Sequence, residues 1–188
     1  MFKIILYVMN MAENKKILLH CCCGPCSTSS LLTLINEGLT PVLYFSNSNI
    51  DTQDESDLRY ENLLIVAKHH NLEVVRDKYD HVKWLEYIKG YEEEKEHGLR
   101  CSLCFYYNLR EASAKAKELN IEYFTTTLTV SRFKNSLKVF AEGNKFDNFQ
   151  EFNFKKKNGF ALSVQYAKEL NLYRQDYCGC EFSKRREH

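Results

Sequence analysis

The chain is poor in proline, nearly neutral overall, and has no long apolar run, and each shortage excludes a class of explanation. Its only two prolines are Pro25 and Pro41, and no long linker, low-complexity segment or internal repeat interrupts the sequence. Lys and Arg number 26 against 25 Asp and Glu, so overall charge gives no argument for nucleic-acid binding, and any such argument needs local basic patches. The longest apolar stretch, at residues 1–9, is too short to span a bilayer. It also has no small-residue cleavage site, so no export signal is expected. Residues 1–14 therefore read as an extension, with Met11 an alternative start, ahead of a single domain at 15–183 and a basic tail at 184–188. Glycine and serine do not form a phosphate-binding loop after the first predicted strand; cysteines stand there instead.

What the chain has in abundance is cysteine, eight in 188 residues. They fall as Cys21-Cys22-Cys23-x-x-Cys26, Cys101-x-x-Cys104 and Cys178-x-Cys180. A chain of this length does not need disulfide staples, and close clusters of this kind usually hold metal or do redox chemistry. Seven or eight thiols exceed the four ligands that either zinc or an iron–sulfur cube takes from the protein, so a second centre or a free redox thiol is expected.

Hydrophobic spacing predicts alternating strands and helices. Ile17 to His20 is a strand that stops at the first cysteine motif, and Ser27 to Glu37 is a helix closed by Gly38. Strand Pro41 to Phe45, helix Asp54 to His70, strand Leu72 to Val75 and helix His81 to Lys89 follow. Residues 102–119 are helical, Tyr123 to Leu128 a strand, Ser131 to Glu142 a helix, Glu151 to Phe154 extended and Ala161 to Leu170 a helix. This order implies an α/β domain, a parallel sheet flanked by helices on both faces, with its site at the carboxyl ends of the strands. The first motif lies at such an end and opens a helix, whose N-terminal amides favour a thiolate.

Taken alone, Cys23-Gly24-Pro25-Cys26 suits a thiol–disulfide oxidoreductase. Such folds set a second proline against the dithiol on a later strand, and Pro41 comes too early for that. Cys101-x-x-Cys104 suits half of a zinc site in a nucleic-acid-binding module, or two corners of an iron–sulfur cube. His20 reads as a structural histidine.

Together, His20 to Cys26, Gly98 to Cys104, Thr125 to Ser131 and Leu172 to Cys180 occur in the order and form that resemble the QueH family of epoxyqueuosine reductases. The resemblance implies reduction of epoxyqueuosine to queuosine at the wobble position of tRNA, in the cytoplasm, with an external electron donor and no membrane partner. It implies a fold like that of the adenine-nucleotide alpha-hydrolases (HUP-like). It also implies a [4Fe–4S] cluster beside a second mononuclear metal, iron or zinc. The matching positions are Cys22, Cys23, Cys101, Cys104, Cys178 and Cys180, with Cys26 close by; Cys26, Cys178 or Cys180 is expected to help hold the second metal. Cys21 exceeds the family's usual pair, and strand alternation points it away from Cys22. Asn47-Ser48-Asn49-Ile50 stands where the family often has Asn-Pro-Asn-Ile, which is expected to loosen that loop.

Candidate proton donors beside the motifs are Asp176, Tyr177, Tyr173 and Tyr107. Candidate tRNA contacts are Arg132, Lys134, Lys155, Lys156, Lys157, Arg174 and residues 184–186, with Phe133 and Phe160 available for stacking on unpaired bases.

Overall fold

The structure, a computed structural model, describes residues 15–132 and 134–184. The expected N-terminal extension, Phe133 and the tail beyond Lys184 lie outside the described residues.

Four parallel strands form one sheet: β1 (Lys15–His20), β2 (Leu39–Phe45), β3 (Val74–Arg76) and β4 (Phe124–Thr126), in the order β3-β2-β1-β4. Helices α1 (Gly24–Asn36), α2 (Gln53–His70), α3 (His81–Tyr87), α4 (Leu99–Glu118), α5 (Ser136–Gly143) and α6 (Gly159–Glu169) connect and cover it. Among the described residues no helix is long and apolar enough to cross a membrane.

Strand alternation divides the interior. Ile17, Leu19 and Cys21 face one side of the sheet and pack with Leu31 and Leu34 of α1, Leu63 and Val66 of α2, and Ala167 of α6. Leu18 faces the other, with Leu109, Ala112 and Ala116 of α4 and Val139 of α5, and Cys22 packs at the edge of this second cluster. Cys21 is 0% exposed and its thiol donates to the Leu19 carbonyl at 3.2 Å. It is a core residue on the face opposite Cys22, as alternation requires.

The chain runs from β1 outward to β2 and β3, then returns to place β4 on the other side of β1. That reversal opens a crevice at the carboxyl ends of β1 and β4, where such sheets bind their ligands. Pro25 sits in the first turn of α1, where its missing N–H costs nothing, so the helix begins within the cysteine motif.

Several elements differ from expectation. Residues 151–153 are irregular. The Thr129 hydroxyl donates to the Phe152 carbonyl (2.7 Å) and accepts from the Phe154 N–H (3.3 Å), taking the place of a strand partner. The β4 strand gives way after Thr126 to a 3-10 turn over Thr127–Val130, and α5 starts at Ser136, capped by Asn135. The Asn47–Ile50 loop is buried and bonded rather than loose. Ser48 accepts the Asp80 N–H through its hydroxyl (3.2 Å), an acceptor that a proline side chain lacks, and its carbonyl meets the His81 ring at 2.8 Å.

Candidate metal centre

A cavity of about 270 Å³ opens at the crevice, and seven of the eight cysteines line it: Cys22, Cys23, Cys26, Cys101, Cys104, Cys178 and Cys180. None of the eight is in a disulfide. The thiols divide into two sets.

The first set comes from the β1–α1 junction. The sulfurs of Cys22, Cys23 and Cys26 lie within 4.8 Å of one another, and Cys22 and Cys23 are 3.8 Å apart. Among the described residues no other three Cys, His, Asp or Glu groups converge so closely. Hydrogen bonding from its two neighbours holds the Cys22 thiol well below its usual range despite burial, with help from Lys134 and Thr127. Sharing that one negative charge pushes Cys23 up to about 12 and Cys26 well above its ordinary value. Thr127 fixes Cys22 from both sides, accepting its N–H at 3.2 Å and donating to its sulfur at 3.4 Å.

The second set comes from two segments. Cys101 and Cys104 stand one turn apart at the start of α4, and Cys178 and Cys180 flank Gly179 in the C-terminal loop. Gly179 has φ +137°, in the region that favours glycine. Burial, then the neighbouring thiolates, push Cys104 well above its ordinary value, and burial raises Cys101 and takes Cys180 to about 11. Burial and close neighbours thus disfavour ionisation of Cys101, Cys104 and Cys180, and a bound cation would reverse this by removing their protons.

Lys134 lies at the junction of the two sets. Burial works against its charge, but the nearby sulfurs of Cys178, Cys22 and Cys26 outweigh it and hold the ammonium well above its usual value. The loop carrying Cys178 and Cys180 has no regular structure and is pinned from the loop before α2 and from α2 itself. Arg59, 1% exposed, pairs with Glu55 at 2.7 Å and donates to the Cys178 carbonyl at 3.0 Å. Asp51 accepts the Tyr177 hydroxyl at 2.8 Å, and its N–H donates to the Gly179 carbonyl at 2.9 Å. Asn62 accepts the Tyr173 N–H at 2.7 Å.

The other expected site residues are scattered. Asp176 and Arg174 are exposed and line the cavity. Tyr177 also lines it, but its hydroxyl is engaged by Asp51, and burial, then that bond, pushes it up. Tyr107 does not line the cavity: it is 3% exposed, packed with Trp84, Ile88 and Cys180. Tyr173 gives its hydroxyl to Glu55. Arg132 lies over the Phe160 ring at 5.4 Å, beside the cavity wall that Phe160 forms. Lys155 donates to the Lys134 carbonyl, and Lys156 and Lys157 are exposed and away from the cavity. His20 is a satisfied structural residue, bonded to Thr126 at 2.9 Å and to the Ser46 carbonyl at 3.2 Å.

Sequence reasoning missed Arg59, Trp84, Arg100 and Gln175. Arg100 is buried at the cavity wall, its guanidinium donating to the Glu92 and Glu94 carbonyls. Only the Glu55–Arg59 spacing of four and the solitary tryptophan carried any signal.

The family profile for epoxyqueuosine reductase QueH matches residues 17–186. The chain belongs to the QueH family. It is 33% identical over 176 residues to the epoxyqueuosine reductase QueH of Acinetobacter baylyi, covering 90% of this chain and 81% of that protein. Against the QueH of Streptococcus pyogenes the identity is 35% over 178 residues, covering 89% and 69%. Against that of Thermotoga maritima it is 34% over 181 residues, covering 91% and 92%. In this QueH chain the matched segment contains both thiol sets.

Proposed function

We propose that this chain reduces epoxyqueuosine to queuosine in tRNA, with Cys101, Cys104, Cys178 and Cys180 holding an iron–sulfur cluster and Cys22, Cys23 and Cys26 holding a single metal. The observation that carries the division is the separation of the thiols into a tight three and a broader four on one cavity. A tetrahedral metal with metal–sulfur bonds of about 2.3 Å sets its sulfurs about 3.8 Å apart, and Cys22 and Cys23 are 3.8 Å apart. A three-thiolate site leaves a fourth position open. A cube takes four thiolates, each on a different iron, so its sulfurs stand wider apart. When bound, the cluster would supply electrons and the single iron or zinc a Lewis-acid position.

The reaction takes two electrons and two protons, and the epoxide oxygen leaves as water. An external reductant provides the electrons. Lys134, set between the thiol sets, offsets their negative charge where the substrate enters. Asp176, exposed at the same cavity, is a candidate for relaying protons from solvent to the substrate. Tyr177 and Tyr173 serve the loop instead, each bonded to a carboxylate of the α2 segment. Arg174 and the Arg132–Phe160 pair offer phosphate contact and an aromatic face at the cavity. A tRNA substrate supports a cytoplasmic site of action.

The test is anaerobic purification with iron and sulfide assays, followed by incubation with epoxyqueuosine-containing tRNA and a strong reductant. Queuosine should form. Cys104→Ala should lose sulfide, whereas Cys26→Ala should keep it and lose one metal per chain. A colourless protein holding only zinc and giving no queuosine would overturn the reading.

A further inference from the structure

Trp84 is the chain's single tryptophan, 0% exposed, on the short helix α3. Its indole Nε1 finds no hydrogen-bond partner, an arrangement that buried polar groups rarely keep. The ring is fixed: it stacks on His81 (centroids 5.5 Å, planes 19° apart) and lies 6.4 Å from Phe182. It lines the cavity with Cys104 and packs in the same buried cluster as Cys104 and Cys180. Cys104 packs against the cluster that holds Trp84, and there the indole N–H is a buried donor left without an acceptor. A neutral thiol is a poor acceptor, whereas a thiolate is a good one.

Other N–H groups converge on the same pair of cysteines. The Asn108 side-chain amide donates to the Cys104 carbonyl at 2.9 Å and lies 3.5 Å from the Cys104 sulfur. The His97 backbone N–H donates to the Cys101 sulfur at 3.2 Å. Cys101 and Cys104 therefore sit among donors that have their full effect only once the sulfurs carry charge.

We propose that Trp84 is a positioning residue for the cluster: its indole N–H bonds the Cys104 thiolate and raises the cluster's affinity for the incoming electron. Hydrogen bonds to ligand sulfur draw electron density from the thiolate, which stabilises the more negative, reduced cluster. The proposal rests on Cys104 being a cluster ligand.

The measurement is the midpoint potential of the anaerobically purified holoprotein, followed by visible absorption with iron and sulfide quantified alongside. Trp84→Phe keeps an aromatic ring and removes only the donor, so the potential should move to a more negative value at unchanged iron and sulfide. Biosynthetic incorporation of 5-fluorotryptophan alters this one residue, keeps the shape and strengthens the donor, so the potential should move the other way. A general packing or solvent-access effect has no reason to give opposite signs. Equal potentials in fully loaded wild-type and Trp84→Phe protein would overturn this inference and leave the ligand assignment standing. If Trp84→Phe fails to load, an unchanged potential in the fluorotryptophan protein overturns it as well. A wild-type protein with no iron and sulfide would overturn both readings.

Discussion

Replacing Arg59 with methionine tests how the C-terminal cysteine loop is held. The guanidinium is almost completely buried, pairs with Glu55 at 2.7 Å and reaches the Cys178 carbonyl at 3.0 Å. Arg59→Met leaves the Glu55 carboxylate, itself 13% exposed, without its counter-charge. Removing one partner of a buried pair costs about 3–5 kcal/mol. For a domain of this size each kcal/mol lowers the melting point by about 2–4 °C, so the drop should be about 6–20 °C. Glu55→Leu should cost a similar amount. The double variant should recover most of the loss, since an apolar pair removes both charges together. It should stay about 1 kcal/mol below wild type for the lost bond to Cys178. Thermal unfolding by circular dichroism, at matched metal content, reads all four proteins. A single-variant cost under about 1 kcal/mol, or a double variant equal to the sum of the singles, would refute the clamp.

Cys21→Ala should leave iron and sulfide unchanged and cost about 1 kcal/mol of packing; metal loss like that of Cys22→Ala would instead put Cys21 among the ligands. Gly179→Ala places a side chain at φ +137°, with its Cβ 3.1 Å from Arg59 Nη1. Strain of about 1–3 kcal/mol should lower the melting point and reduce metal content, and a variant with normal values would show that the loop adapts. Asp51 is buried, which alone would raise its carboxyl, but hydrogen bonds from Lys184 and Tyr177 outweigh this and hold it below the usual value. With the native value depressed, its contribution is complete above about pH 4, the unfolded value, and is lost as pH falls through the native one. The melting-point gap between wild type and Asp51→Asn should therefore persist at neutral pH and close in acid; a gap independent of pH would remove the linkage.

The sequence made the parallel α/β order legible because apolar runs of strand length alternate with helical spacing. The turn of Cys21 into the core on the face opposite Cys22 followed from strand alternation alone, and all seven remaining cysteines reach one cavity. Less legible was everything set by tertiary packing. Tyr107 lies three residues beyond Cys104 on nearly the same helix face, yet one turn further along it packs behind Trp84 and Cys180 instead of lining the cavity. Arg59 and Trp84 lie far in sequence from the cysteines they serve, so neither the spacing of four to Glu55 nor the solitary tryptophan tied them to the site. The extended segment expected at 151–154 had strand composition but no ladder, because a threonine side chain supplies its bonds. The three-and-four division of the thiols depends on distances that spacing cannot give.

That division also bears on synthesis. Cys22, Cys23 and Cys26 fall within five consecutive positions, and β1 and α1 bring them together locally. The other four thiols require residue 104 to meet residue 180. During translation the first set emerges early as three converging thiols, while the second does not exist until the segment carrying Cys178 and Cys180 has been made and folded back. If the two sets bind as proposed, a cell that loads this protein must keep the early three thiols from taking the wrong ion while their neighbours are still unmade. Co-translational metal delivery and post-translational cluster transfer would then be successive events on the same cavity.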